Sequence, residues 1–193
     1  GTSEFGKELD SLTDFVSFGI APALILFFWE LNNYGKIGWA ITLIFSVCCV
    51  LRLARFNLTK IEPQEQWRMN FFEGVPSPAG AGLILLPLIY ELSGFNLNFE
   101  IKKITPYLVI FVSILLISKF PTFSFKKITI PRKLTVFLFF GIGVISVSLI
   151  FFTFETLLLL GMLYLSLLPI GFLSYKKKNL IKTENEDEHE DIL

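Results

Sequence analysis

The sequence predicts an all-α protein: a polytopic membrane helix bundle of about six transmembrane helices, with both termini cytoplasmic. Three observations carry this. Of 193 residues, 53% are hydrophobic, with 22 Phe and a mean hydropathy of +0.63; uncharged runs alternate with charged connections; and the basic residues crowd into every second connection. A chain of this size has too little interior to enclose half its residues, so part of the apolar surface must face lipid. An ordinary water-soluble globule is thereby excluded. The 17 Lys plus Arg are balanced by 17 Asp plus Glu, and a net charge of zero excludes a nucleic-acid binder with an overall basic field.

The uncharged runs are Phe15–Trp29, Ile37–Leu51, Gly74–Tyr90, Ile104–Ser118, Leu134–Phe154 and Thr156–Tyr175. Several fall short of the roughly 20 residues that a ~30 Å hydrocarbon core requires, so their helices are expected to continue into the charged flanks. A cleavable signal peptide fits poorly, because Glu4, Lys7, Glu8 and Asp10 stand where a basic region before an apolar core would be needed.

Orientation follows from the basic residues, which are retained on the cytoplasmic side. All but three of the 17 lie in connections of one phase, among them Arg52, Arg55, Arg68, Lys126, Lys127 and Lys176–Lys178; the exceptions are Lys36, Lys102 and Lys103. On that side Asn57-Leu58-Thr59 is not expected to be glycosylated. Residues 1–175 form the membrane domain. Residues 176–193, rich in Glu and Asp, read as a solvated, disordered cytoplasmic tail behind a lysine run that fixes the last helix or attracts anionic lipid.

Several chemistries lack their residues. Cys48 and Cys49 are adjacent, without the spacing of a redox or zinc motif, and read as small buried hydrophobes. The single histidine, His189, lies in the acidic tail, which leaves a Ser-His-Asp triad or a His-rich metal site nothing to build on. The chemistry falls to carboxylates, Lys, Arg, Ser or backbone.

Gly6, Asp10 and Asp14 are spaced by four, so on a helix they form one line along one face. Two carboxylates so placed repel each other, and more so at the membrane boundary. A divalent cation with oxygen ligands, Mg²⁺ or Mn²⁺, would compensate, and Gly6 would leave a gap through which a phosphate could approach. The plainer alternative is a solvated amphipathic helix start with acidic residues near its N-terminal dipole. Arg52 and Arg55 are i,i+3 neighbours able to hold a carboxylate or phosphate, or else are simply basic residues at a cytoplasmic helix end. Pro76-Ser77-Pro78 reads as a rigid lead-in to the third helix, and Ala79-Gly80-Ala81-Gly82 as a surface for close helix packing. The later helices, with Gly141-Ile142-Gly143 and Gly161, contain no polar cluster and read as scaffold or dimer contacts.

The line Gly6-x3-Asp10-x3-Asp14 resembles the second half of the signature D-x2-D-G-x2-A-R-x8-G-x3-D-x3-D of the CDP-alcohol phosphatidyltransferases. Phe5–Leu12 with Asp14–Pro22, Arg52-Leu53-Ala54-Arg55-Phe56-Asn57 and Phe72-Glu73-Gly74-Val75-Pro76-Ser77-Pro78-Ala79 are similar to blocks of the bacterial branch of that family whose accepting alcohol is L-serine. The resemblance covers about residues 1–90. It places the first half of the signature upstream of Gly1, so the chain is expected to be the last six helices of a protein of about eight, and inactive by itself.

The resemblance implies transfer of the phosphatidyl group from CDP-diacylglycerol to L-serine, giving phosphatidylserine and CMP, at a cytoplasm-facing site in a bacterial inner membrane. It implies Mg²⁺ or Mn²⁺, two ions in all, with Asp10 a metal ligand and Asp14 the base that deprotonates the hydroxyl while touching a metal. Gly6 would line the CDP site, and Arg55, with Arg52 as second choice, would hold the serine carboxylate or the lipid phosphate. Glycerol 3-phosphate, inositol phosphate or choline as acceptor is the alternative within the class. A transporter or structural membrane protein would carry charges in mid-helix, whereas here nearly all lie at helix ends. A homodimer is compatible with the apolar later helices.

Overall fold

The computed structural model describes residues 3–58, 71–95, 100–118, 121–123 and 132–169. The acidic tail, the lysine run ahead of it, Thr59 of the sequon and most of the basic connections lie outside the described residues.

The chain enters as α1 (Glu4–Phe15), whose first turn is capped by Ser3: its hydroxyl accepts from the Gly6 N–H at 3.1 Å. The helix does not stop at Phe15. It widens into one π segment, Val16–Ile20, and runs on as α2 (Ala21–Trp29). Pro22 supplies the reason, since it lacks an N–H and its ring crowds the carbonyl four residues back; the Ala21 N–H reaches Val16 O instead, five residues back. The continuous stretch Phe5–Trp29 spans 25 residues, about 38 Å at 1.5 Å per residue. The apolar run read from Phe15 therefore has a helical extension one charged segment longer, as its short length led one to expect.

A 3-10 turn, Leu31–Tyr34, leads into α3 (Lys36–Leu58), the central helix, which packs against α2, α4 (Ser77–Leu92) and α5 (Ile101–Ile117). Their shared core holds Leu26, Phe45, Ile84, Val109, Val112 and Leu116, all nearly or wholly buried. Two further helices follow, α6 (Arg132–Phe151) and α7 (Thr153–Pro169).

The stretches Phe5–Trp29 and Lys36–Asn57 are long and apolar enough to cross a membrane, whereas Ser77–Leu92, Thr135–Phe151 and Thr153–Pro169 are apolar but shorter. The helix read from Gly74 begins only at Ser77, because Gly74 has φ +78° and Pro76 is extended. Both lead the chain into α4 at a fixed angle.

Helix is not quite everything. β1 (Phe71–Glu73) and β2 (Pro121–Phe123) pair antiparallel, with Phe72 opposite Thr122. This small ladder clips the segment before α4 to the segment after α5, a departure from a wholly helical reading. A Cβ at Gly74 would come within 2.9 Å of Ser118 O and 3.0 Å of Leu116 O, so only glycine lets this crossing close.

The helices meet at two ends. At one, Asn57 donates to Ser11, Arg52 to Ser77 and Arg55 to Ile117. At the other, Lys102 pairs with Glu91 at 2.9 Å and lies 5.6 Å over the Trp29 ring.

Candidate active site

α1 is two-faced. Phe5, Leu9, Leu12 and Val16 form an exposed apolar stripe, while Gly6, Asp10 and Asp14 line a second stripe about a third of a turn round. Gly6 and Asp10 are exposed and Asp14 is half-buried, so the stripe runs from solvent into the bundle. The helix is held in rotation by Asn57, whose Nδ2 donates to Ser11 Oγ at 2.9 Å, between the two carboxylates.

Where the stripe enters the bundle it meets α3. Arg52 is half-buried; its Nη1 donates to Ser77 Oγ of α4 at 3.2 Å, and its guanidinium lies 5.7 Å over the Phe56 ring. Asp14, Cys49 and Tyr164 are the other groups close enough to act on that charge. A buried cation needs such company, because an unpaired charge among apolar helices is costly.

Arg52 and Arg55 part ways despite their i,i+3 spacing. Arg55 Nη1 donates to the Ile117 carbonyl at 2.7 Å, closing the C-terminal end of α5. Of the residues singled out in the sequence, Asp14 comes within electrostatic reach of Arg52; Asp10 lies one turn out from Asp14, Gly6 at the exposed start of α1, and Arg55 at the end of α5.

Tyr164 was missed. It belongs to α7, a helix whose run of aliphatic residues offered no polar signal, and a lone tyrosine there reads equally well as packing. Its position depends on Gly161, one turn earlier, where any Cβ would run into Leu86 of α4. That close approach brings α7 against the α4 side of the cluster, and Leu158, Leu165 and Leu168 pack inward along the same face. The later helices are thus not pure scaffold, since α7 contributes to the polar cluster.

The donor set for a cation can be judged on its chemistry. Asp10 and Asp14 offer carboxylate oxygens about 6 Å apart along the helix axis, the hard ligands that Mg²⁺ and Mn²⁺ prefer. Among the described residues no group of three or more metal-ligating side chains is present, so these two carboxylates alone are fewer oxygen donors than such an ion takes.

Comparison with known proteins gives a consistent result. The sequence model of the CDP-alcohol phosphatidyltransferase family matches residues 1–125. The chain is 34% identical over 152 residues to the CDP-diacylglycerol–serine O-phosphatidyltransferase of Helicobacter pylori, covering 78% of this chain and 60% of that protein. The proteins of the same name from Mycobacterium tuberculosis and Methanocaldococcus jannaschii are 36% and 34% identical, with 67% and 71% of this chain matched to 45% and 56% of theirs. The chain thus spans roughly half to three-fifths of the length of these relatives. With the match running from α1 through β2, across both carboxylates and both arginines, the chain belongs to the CDP-alcohol phosphatidyltransferase family.

Proposed function

We propose that the protein containing this chain transfers the phosphatidyl group of CDP-diacylglycerol to L-serine, producing phosphatidylserine and CMP. The observation that carries the proposal is the match of this chain, across Gly6, Asp10, Asp14 and both arginines, to relatives that bear that activity in their names. Asp14 takes the proton from the serine hydroxyl. The hydroxyl oxygen then bonds to the phosphatidyl phosphorus, and the bond from that phosphorus to the bridging oxygen breaks, CMP leaving with the electron pair. A carboxylate is a weak base for an alcohol, so proton transfer must run with bond formation instead of ahead of it.

Arg52, which the resemblance ranks behind Arg55, holds an oxyanion of substrate, because Arg55 already donates to the Ile117 carbonyl; Gly6 keeps the approach to the nucleotide free of side chain. Asp10 and Asp14 would hold Mg²⁺ or Mn²⁺ with donors beyond the described residues. When bound, such ions neutralise the pyrophosphate and the departing CMP. Half-burial suits Asp14 to its two roles, since it stands where the exposed stripe enters the bundle.

The alternation of the two helix ends supports six spans with both termini in the cytoplasm of a bacterial inner membrane, the site on the cytoplasmic side. Reporter fusions after residue 193 should then register as cytoplasmic; a periplasmic signal would reverse the orientation. The uncovered apolar surface of α6 serves as a contact for lipid or for a second copy.

In the full-length protein, Asp10→Asn and Asp14→Asn should each lower turnover by about 10²–10⁴, measured as labelled serine entering lipid. Near-normal turnover would remove these roles. Offering labelled glycerol 3-phosphate and inositol phosphate alongside serine tests the acceptor, and label appearing only from either of those would reject serine.

A further inference from the structure

The polar cluster between α1, α3, α4 and α7 contains two buried polar atoms that find no hydrogen-bond partner among the described residues: Arg52 Nε and Tyr164 Oη. One such atom in a bundle could be an accident of packing. Two of them, on side chains near enough for the tyrosine to act on the guanidinium, call for a common partner, because a buried N–H or O–H left unpaired costs as much as several ordinary contacts return.

Both groups can donate, and Arg52 can only donate. A carbonyl or hydroxyl would satisfy one donor, whereas an oxyanion satisfies both and also meets the guanidinium charge. Ser77 already holds the opposite edge of the guanidinium through Nη1, which fixes the plane in which Nε–H points. Phe56 covers one face. The arginine is therefore oriented before any ligand arrives, and its buried Nε–H is left without a partner among the described residues.

We infer that Arg52 Nε and Tyr164 Oη together form an oxyanion-binding subsite, and that Tyr164 is a specificity-determining residue supplied by the last described helix. The inference rests on the reading of Arg52 as a substrate-binding residue, and it adds the tyrosine, the donor atom used and the chemistry of the ligand. The oxyanion is a carboxylate or a phosphate oxygen. Two sources present one: the carboxylate of the accepting amino acid and the phosphate of the lipid donor.

The test is Tyr164→Phe in the full-length protein, which removes a single hydroxyl and keeps the ring that packs in α7. Expected is a rise of about tenfold in KM for one substrate, with kcat changed less than about twofold. A rise for L-serine, with weak competition by ethanolamine unaltered because it lacks the carboxylate, identifies the acceptor as the source. A rise for CDP-diacylglycerol identifies the lipid phosphate. Unchanged KM for both overturns the inference, whether or not kcat or thermal stability falls.

Arg52→Lys keeps the charge and removes the Nε donor; the same substrate must be affected, and an effect confined to the other one overturns the shared subsite. If the wild-type protein forms no phosphatidylserine, the functional reading fails by itself. Equilibrium binding of labelled L-serine and of CDP-diacylglycerol, wild type against Tyr164→Phe, then still decides the subsite: equal binding of both overturns it.

Discussion

α3 and α6 are both apolar helices of about twenty residues, 23 and 20, yet they occupy opposite situations. α3 buries Thr42, Phe45, Cys49 and Leu53 at helical spacing and ends in two arginines engaged by other helices. No residue of α6 with a described side chain is buried, and Phe137, Phe139 and Phe140 are each about 70% exposed. In lipid, apolar character does not decide which helix is central, because hydrocarbon receives a leucine as readily as a neighbouring helix does. The distinction lies in small and polar side chains. Thr42 and Ser46 return their hydroxyls to backbone carbonyls, which lets α3 be approached on several sides, while Arg52 demands that it be.

The contrast should break most sharply at glycine. A Cβ at Gly161 meets Leu86, whereas one at Gly141 of α6 meets nothing within 4 Å. Gly161→Val in the full-length protein should cost about 1–3 kcal/mol of overpacking and push α7 outward, withdrawing Tyr164 from the cluster, so that activity drops by more than about tenfold. Gly141→Val should leave turnover and thermal stability alike. Equal tolerance at the two sites, read in paired melting and turnover assays, would mean that α7 packs elsewhere in the working protein.

A milder version uses serine. Ser77 is fully buried and receives Arg52, while Ser146 of α6 is exposed and bonds its own turn, at Ile142 O. Ser77→Ala leaves an arginine N–H short of a partner and should destabilise by about 1–2 kcal/mol, hydrogen bonds to charged groups lying at the upper end of the usual range. A several-fold weakening of substrate binding should accompany it. Ser146→Ala should do neither, and a matching loss there would show that α6 is covered by something that uses its surface.

Much of this architecture is legible in the residue pattern. All six charge-bounded runs contain a helix, because the backbone in lipid must satisfy itself, and the i,i+4 carboxylates declared their shared face. The ends were less legible. α1 starts eleven positions before the run read from Phe15, and α3 continues to Leu58 beyond Leu51, since charged residues extend a helix once its end reaches water. The ladder of β1 with β2 joins segments about fifty residues apart, and no local pattern announces so short a pairing. The separation of Arg52 from Arg55 was hidden for a similar reason: spacing fixes where a long side chain starts, and its partner, a serine on α4 or a carbonyl on α5, fixes where it ends. Tyr164 was invisible because its role depends on the approach of α7 at Gly161.

The smallest expected effect concerns a charge of the other kind. Lys102 precedes the apolar run of α5 and pairs with Glu91 across the α4–α5 connection, both side chains nearly half exposed. The hydrogen bond to Glu91 raises Lys102 above the ordinary lysine range. A raised folded value makes the pair's contribution complete below the unfolded pKa of about 10.4 and lost only as pH climbs through the folded value. Between pH 6 and 9 the pair should therefore contribute no slope to stability. Water and salt screen such a pair, so Lys102→Met should melt with wild type at neutral pH, while Arg52→Met, which leaves buried Ser77 without its charged donor, should not. A Lys102→Met protein as damaged as Arg52→Met, in the same detergent and salt, would place the α4–α5 connection in a drier setting than its exposure indicates and would erase the difference between the two ends of the bundle.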